Sequence, residues 1–115
     1  MKKMATTLKD LKKDISGFYD PNQYHFIVMN AVDMQDKTEL QWFFSEYAPP
    51  YETICFYATA EPGEMIPSIC SIVSSAWVAE AELTDLMDIT IENAPKGFVL
   101  DPDSAAGPLR KKKTL

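Results

Sequence analysis

Three runs of β-forming residues follow one another at short intervals: Tyr24-His25-Phe26-Ile27-Val28-Met29-Asn30-Ala31-Val32, Leu40-Gln41-Trp42-Phe43-Phe44-Ser45-Glu46-Tyr47 and Tyr51-Glu52-Thr53-Ile54-Cys55-Phe56-Tyr57-Ala58-Thr59. The gaps hold a polar turn, Asp33-Met34-Gln35-Asp36-Lys37, and a Pro49-Pro50 break. A parallel connection needs a dozen or more residues, so these runs are predicted to form an antiparallel meander. Glu61-Pro62-Gly63-Glu64 closes it.

Helical periodicity flanks the meander on both sides. Leu8, Leu11, Ile15 and Phe18 recur at helical spacing, with Thr7 and Asp10 placed as an N-cap pair, so a helix is expected over 7–18. From Pro67 to Met87 the period changes from two to 3.6, and Ile69, Ile72, Val73, Ala76, Trp77, Leu83, Leu86 and Met87 share one stripe. This predicts one long helix or two short ones, with Ser68 as N-cap. Beyond Ile91 the expectation is irregular coil, with one short strand over 97–100. The fold class is α+β: a two-layer domain with an N-terminal helix, an antiparallel or mixed meander of at least three strands, a long helix in the C-terminal half and an extended C-terminal tail. Residues 1–100 are expected to form one domain and 101–115 an extended basic tail. A chain of 115 residues buries about two-thirds of its surface on folding, enough for one core without staples.

Charge is unevenly placed. Five of the 11 basic residues stand at Lys2, Lys3, Lys9, Lys12 and Lys13, and four more form Arg110-Lys111-Lys112-Lys113. Between residues 14 and 109 only Lys37 and Lys96 face 16 acids. A net charge of −6 argues against general nucleic-acid binding, which rests on neutralising phosphates. A basic tail on an acidic body is either a solvated terminus or a segment that docks on an acidic partner surface. No apolar run approaches the roughly 18 residues of a membrane span. The start, Met1-Lys2-Lys3-Met4, lacks the apolar stretch of a signal peptide, so a cytoplasmic chain is expected. Cys55 and Cys70 are expected to be two thiols rather than a bridge.

Catalytic patterns are sparse. His25 is the one histidine, the glycines are scattered, and no C-x-x-C pair or nucleophile elbow occurs. The constellation with chemical content is Glu80-x-Glu82-x-x-Asp85-x-x-Asp88. Glu80 falls on the apolar stripe, four residues after Ala76 and three before Leu83, so its carboxyl must be paired, hydrogen-bonded or protonated. Glu82 and Asp85 share the other side of the helix. A paired-carboxylate hydrolase or two-metal site is the weaker reading, since no histidine or catalytic loop accompanies these acids.

The run Glu80-Ala81-Glu82-Leu83-Thr84-Asp85-Leu86-Met87-Asp88-Ile89 resembles the E-R-E-x-x-D-L-x-G-I helix of the 30-kilodalton subunit family of respiratory complex I, the NADH dehydrogenase. Ile66-Pro67-Ser68-Ile69 is similar to the family's approach to that helix, and Ala76-Trp77 to its Ala and Trp. Gly107-Pro108-Leu109-Arg110-Lys111 resembles the family's G-x-P-L-R-K close, one residue shorter. Ala81 replaces the motif's Arg, Asp88 its Gly, and Lys112 stands where Asp is usual. The G-H-P-D-L-R-R segment between the motifs is missing. These departures and the short length look most like the small homologous subunit of membrane-bound, energy-converting [NiFe] hydrogenases.

The resemblance implies a non-catalytic structural subunit that binds no cofactor or metal itself. Nickel–iron and iron–sulfur centres are expected in partner subunits: a large, hydrogenase-like (complex I 49-kilodalton-like) subunit and an iron–sulfur small subunit. Glu80, Glu82 and Asp85 are the implied structural or interface carboxylates, and Pro108, Leu109, Arg110 and Lys111 the segment that runs along the large subunit. Localisation would be peripheral on the inner face of the cell membrane, and the isolated chain could pair as a homodimer. The alternative is a free-standing acidic protein-binding or regulatory domain with a basic docking tail.

Overall fold

The computed structural model describes residues 1–87 and 89–92, with Asp85 described by its backbone alone. The chain opens with strand β1 (Lys2–Ala5), then helix α1 (Leu11–Phe18), and continues through β2 (Tyr24–Asp33), β3 (Thr38–Glu46) and β4 (Thr53–Ala60). A short strand β5 (Met65–Ile66), a 3-10 turn (Ser74–Ala76), helix α2 (Trp77–Leu86) and strand β6 (Thr90–Ile91) follow. The main sheet has the order β1-β4-β3-β2. The meander is antiparallel as expected, and β1 adds a fourth strand parallel to β4, with Lys2 opposite Ile54 and Ala5 opposite Tyr57. β5 and β6 form a second, parallel pair. The main sheet is therefore mixed.

Alternation along β3 decides which face is covered. Thr38, Leu40, Trp42 and Phe44 are buried, whereas Glu39, Gln41, Phe43 and Ser45 are partly exposed. Trp42 pairs with Met29 of β2 and Phe56 of β4, which puts three large apolar side chains in one row on the inner face. α1 lies over this face, burying Leu11 and Ile15, and Phe18 meets Phe44 and Phe56 at ring-centroid distances of 5.5 and 5.1 Å. Each such ring contributes about 1.5–3 kcal/mol by leaving water, with edge-to-face contacts adding to it. The register slips between Phe26 and Val28, leaving Ile27 and Val28 exposed on the outer edge strand.

Both helices are shorter than their apolar periodicity predicts. α1 starts at Leu11 rather than at 7: residues 8–10 form a turn in which the Asp10 N–H bonds the Thr7 carbonyl at 3.1 Å, with the Thr7 Oγ1 at 3.2 Å. The long helix over 67–87 is not formed: α2 spans Trp77–Leu86 alone, and 67–73 is irregular. Ser68 is thus not an N-cap. Trp77, placed on the buried stripe by its spacing, is 45% exposed. The strand expected over 97–100 and the tail over 101–115 lie outside the described residues. No helix among the described residues is long and apolar enough to cross a membrane.

Candidate functional site

Residues 65–92 make a small β–α–β excursion from the end of the main sheet. β5 leads in, α2 packs against β2, and β6 returns beside β5, where the Glu92 N–H also bonds the Ile66 carbonyl at 2.8 Å. Glu92 then reaches across to α1 and pairs with Lys12 at 2.9 Å, an exposed contact worth at most about 1 kcal/mol.

Glu80 sits at the centre of this excursion and is 2% exposed. The carboxyl Oε1 accepts the Ser68 hydroxyl at 2.6 Å, and Oε2 accepts the Ile69 N–H at 2.9 Å. The Cys70 thiol lies 3.1 Å from Oε1, and the Ser68 Oγ accepts the Cys70 N–H at 3.1 Å. One level down, the Thr84 hydroxyl donates to the Glu80 carbonyl at 2.9 Å. Of the three ways to keep a carboxyl in a core, the chain uses hydrogen bonding: Glu80 faces three groups that can each donate a proton. The Ile69 N–H, in a segment without regular secondary structure, finds its acceptor in the Glu80 carboxyl rather than in the backbone.

The environment also tunes the thiols. Burial, reinforced by the hydrogen bond and negative charge of Glu80, raises the Cys70 thiol above its ordinary value, against the lowering effect of the Ser68 hydrogen bond. Cys55, buried in β4, is raised by burial as well, with Lys3 lowering and Glu39 raising it further. Both cysteines are free thiols. Neither has the thiolate character of a nucleophile.

The carboxylates named from the sequence therefore separate. Glu80 is internal, whereas Glu82 is exposed on the opposite side of α2. Asp85 belongs to α2, but its side chain lies outside the described residues, as do Asp88, Pro108, Leu109, Arg110 and Lys111. His25 stands in β2 with its ring 4.8 Å from that of Tyr47. Among the described residues no group of three or more His, Cys, Asp or Glu side chains is placed to hold a metal ion. Sequence spacing identifies Glu80 through its helical phase, but its partners Ser68, Ile69 and Cys70 arrive from a segment whose helical spacing the backbone does not follow.

A family model described as respiratory-chain NADH dehydrogenase, 30 Kd subunit, matches residues 2–115. The chain belongs to that family. No curated protein sequence matches this family member significantly. Among solved structures, its fold is similar to a chain in the structure of the membrane-bound sulfane sulfur reductase (MBS), described as an archaeal respiratory membrane complex, with a TM-score of 0.77 and 14% identity. The match covers 88% of this 30-kilodalton-family chain and 64% of that one. At this identity the likeness concerns the fold.

Proposed function

We propose that this member of the 30-kilodalton family is a non-catalytic structural subunit of a membrane-associated, complex-I-like oxidoreductase, of the energy-converting [NiFe] hydrogenase type. It docks on the large, catalytic-type subunit, and electron transfer belongs to cofactors held by its partners. The observation that carries this reading is the fate of Glu80. The carboxylate that leads the family-like motif is spent on three internal contacts that hold α2 to residues 68–70, a structural use rather than a catalytic one. The match of the family model over residues 2–115 supports the same reading, as does the fold shared with a chain of a respiratory membrane complex.

Docking then falls to Glu82 and to the basic run near the C-terminal end of the sequence. Glu82 is exposed on α2, and the basic run Arg110-Lys111-Lys112-Lys113 contrasts with an otherwise acidic chain. Arg110 is suited to bidentate pairing with partner carboxylates, and an extended segment adds main-chain hydrogen bonds.

The test is a tagged pull-down from gently solubilised native membranes, with mass spectrometry and nickel and iron analysis of the eluate. Recovery with a hydrogenase-like large subunit, an iron–sulfur subunit and nickel is the expected result. Iron without nickel would move the assignment to a quinone-linked relative. A chain that stays in the soluble fraction alone would replace it with a free-standing binding domain.

A further inference from the structure

Two edges bound the main sheet, and they differ. At β2 the edge is shielded: α2 packs against this strand, and Met29 is 3% exposed. At β1 it is open. The Thr6 N–H donates to the Tyr57 carbonyl of β4 at 2.9 Å, and main-chain groups alternate in direction along a strand. Met4 therefore turns its N–H and C=O toward β4, whereas Lys3 and Ala5 turn theirs outward. Both residues are exposed, and among the described residues no group bonds their outward main chain. The same N-terminal stretch gathers the positive charge. Lys2 and Lys3 lie in β1, Lys9 in the turn after it and Lys13 on α1, all four exposed, whereas Lys12 is engaged by Glu92. Asp10 stands among them, and Asp14 accepts the Thr6 hydroxyl at 2.6 Å. From residue 15 to residue 92 the one further cation is Lys37.

We infer that the β1 edge is a docking site for an extended, acidic segment of a partner protein, which joins the main sheet as a further strand. Lys3 and Ala5 offer that segment main-chain donors and acceptors, the mode by which peptides add to an open sheet edge. Charge then selects among occupants. Like charges set opposite each other across strands are destabilising, so a second β1, bringing its own Lys2 and Lys3, is disfavoured. The chain's basic run Arg110-Lys111-Lys112-Lys113 is turned away for the same reason. Edge lysines guard a strand against stray pairing, and the same guard admits a strand of opposite sign. The site goes beyond the proposed subunit role: its partner is defined by backbone and charge, and it uses neither Glu82 nor the C-terminal run.

The experiment titrates the ¹⁵N-labelled full chain with the peptide acetyl-Gly-Glu-Val-Glu-Val-Glu-Gly-amide and with its counterpart bearing Lys at the acidic positions. The expected result is saturable amide shifts centred on residues 2–6 for the acidic peptide alone. The Lys3 and Ala5 amides should also slow in hydrogen exchange as they gain acceptors. Ala5→Pro should weaken binding about ten-fold by removing one outward donor. That variant keeps every charge, and proline is tolerated on an edge strand where the N–H faces solvent. Lys2→Gln with Lys3→Gln should weaken binding about five-fold by removing two exposed charge contacts. Loss in the lysine variant with full binding by Ala5→Pro would mean attraction by charge alone, as to an anionic surface, and overturn the strand. Loss in Ala5→Pro alone would leave strand pairing without charge selection and overturn the acidic partner. Binding unchanged in both variants, equal binding of the two peptides, or no shift at all would remove the site. Because the assay uses the isolated chain, its failure is distinct from a failure of the pull-down.

Discussion

Replacing Glu80 by alanine removes the common acceptor for the Ser68 hydroxyl and the Ile69 N–H and leaves both donors in the interior. Each buried donor left without a partner costs about 1–3 kcal/mol, so Glu80→Ala should lose about 2–5 kcal/mol in urea denaturation. Glu80→Gln keeps one acceptor oxygen but turns an NH₂ toward a donor, and should lose about 1–3 kcal/mol. Against a total stability of about 5–15 kcal/mol, the alanine variant approaches the limit of folding. The thiols give a pH signature at the same scale. Both cysteines hold their protons more tightly when folded than when unfolded. Their contribution is therefore complete below the ordinary thiol value near about pH 8.5 and is lost as pH rises through the folded-state values. Denaturation midpoints should fall above about pH 9, and Cys70→Ser should make that fall shallower than in the parent chain.

Among elements, stability should follow depth in the sheet. β3 and β4 are central, whereas β5 and β6 pair through two residues each. Amide exchange is expected to be slowest in β3 and β4, with the β5–β6 amides and α2 opening well before global unfolding. Exchange of α2 as slowly as β3 would show that Glu80 has fused the excursion to the sheet. What the sequence makes legible divides along the same line. The meander is legible because its strands are adjacent in sequence and alternate in burial, as Leu40, Trp42 and Phe44 show against Gln41 and Phe43. β1 is not. Four residues, two of them Lys2 and Lys3, carry no strand signal, and their pairing with residues 54–57 is a contact far along the chain. Helical spacing over 67–73 misleads because Ile69, Ile72 and Val73 do pack into or against the core, but from an irregular backbone. Periodicity reports that a residue is buried, not that its backbone is helical. The site shows the same limit: helical phase places Glu80, but nothing in the spacing places its three donors.

For the whole molecule, charge separates folding from assembly. The core holds the large apolar side chains of one cluster, and the described residues contain a single exposed ion pair. Changing Arg110 to alanine should accordingly leave the melting temperature of the isolated chain unchanged while lowering the yield of co-purified large subunit. Equal yields for the two proteins would count against a docking role for the basic tail.

The parallel pairing of β1 with β4 has a consequence for how such a chain is made. On a ribosome Lys2–Ala5 emerges well before Ile54–Tyr57, the residues it pairs with. All of α1, β2 and β3 must be synthesised before the first strand has anywhere to bind, and until then the β4 edge it will cover is not yet there. Strand closure between the two is a late event of high contact order. In the interval β1 and β3 both lack the strand that lies between them, and the arrival of β4 joins them.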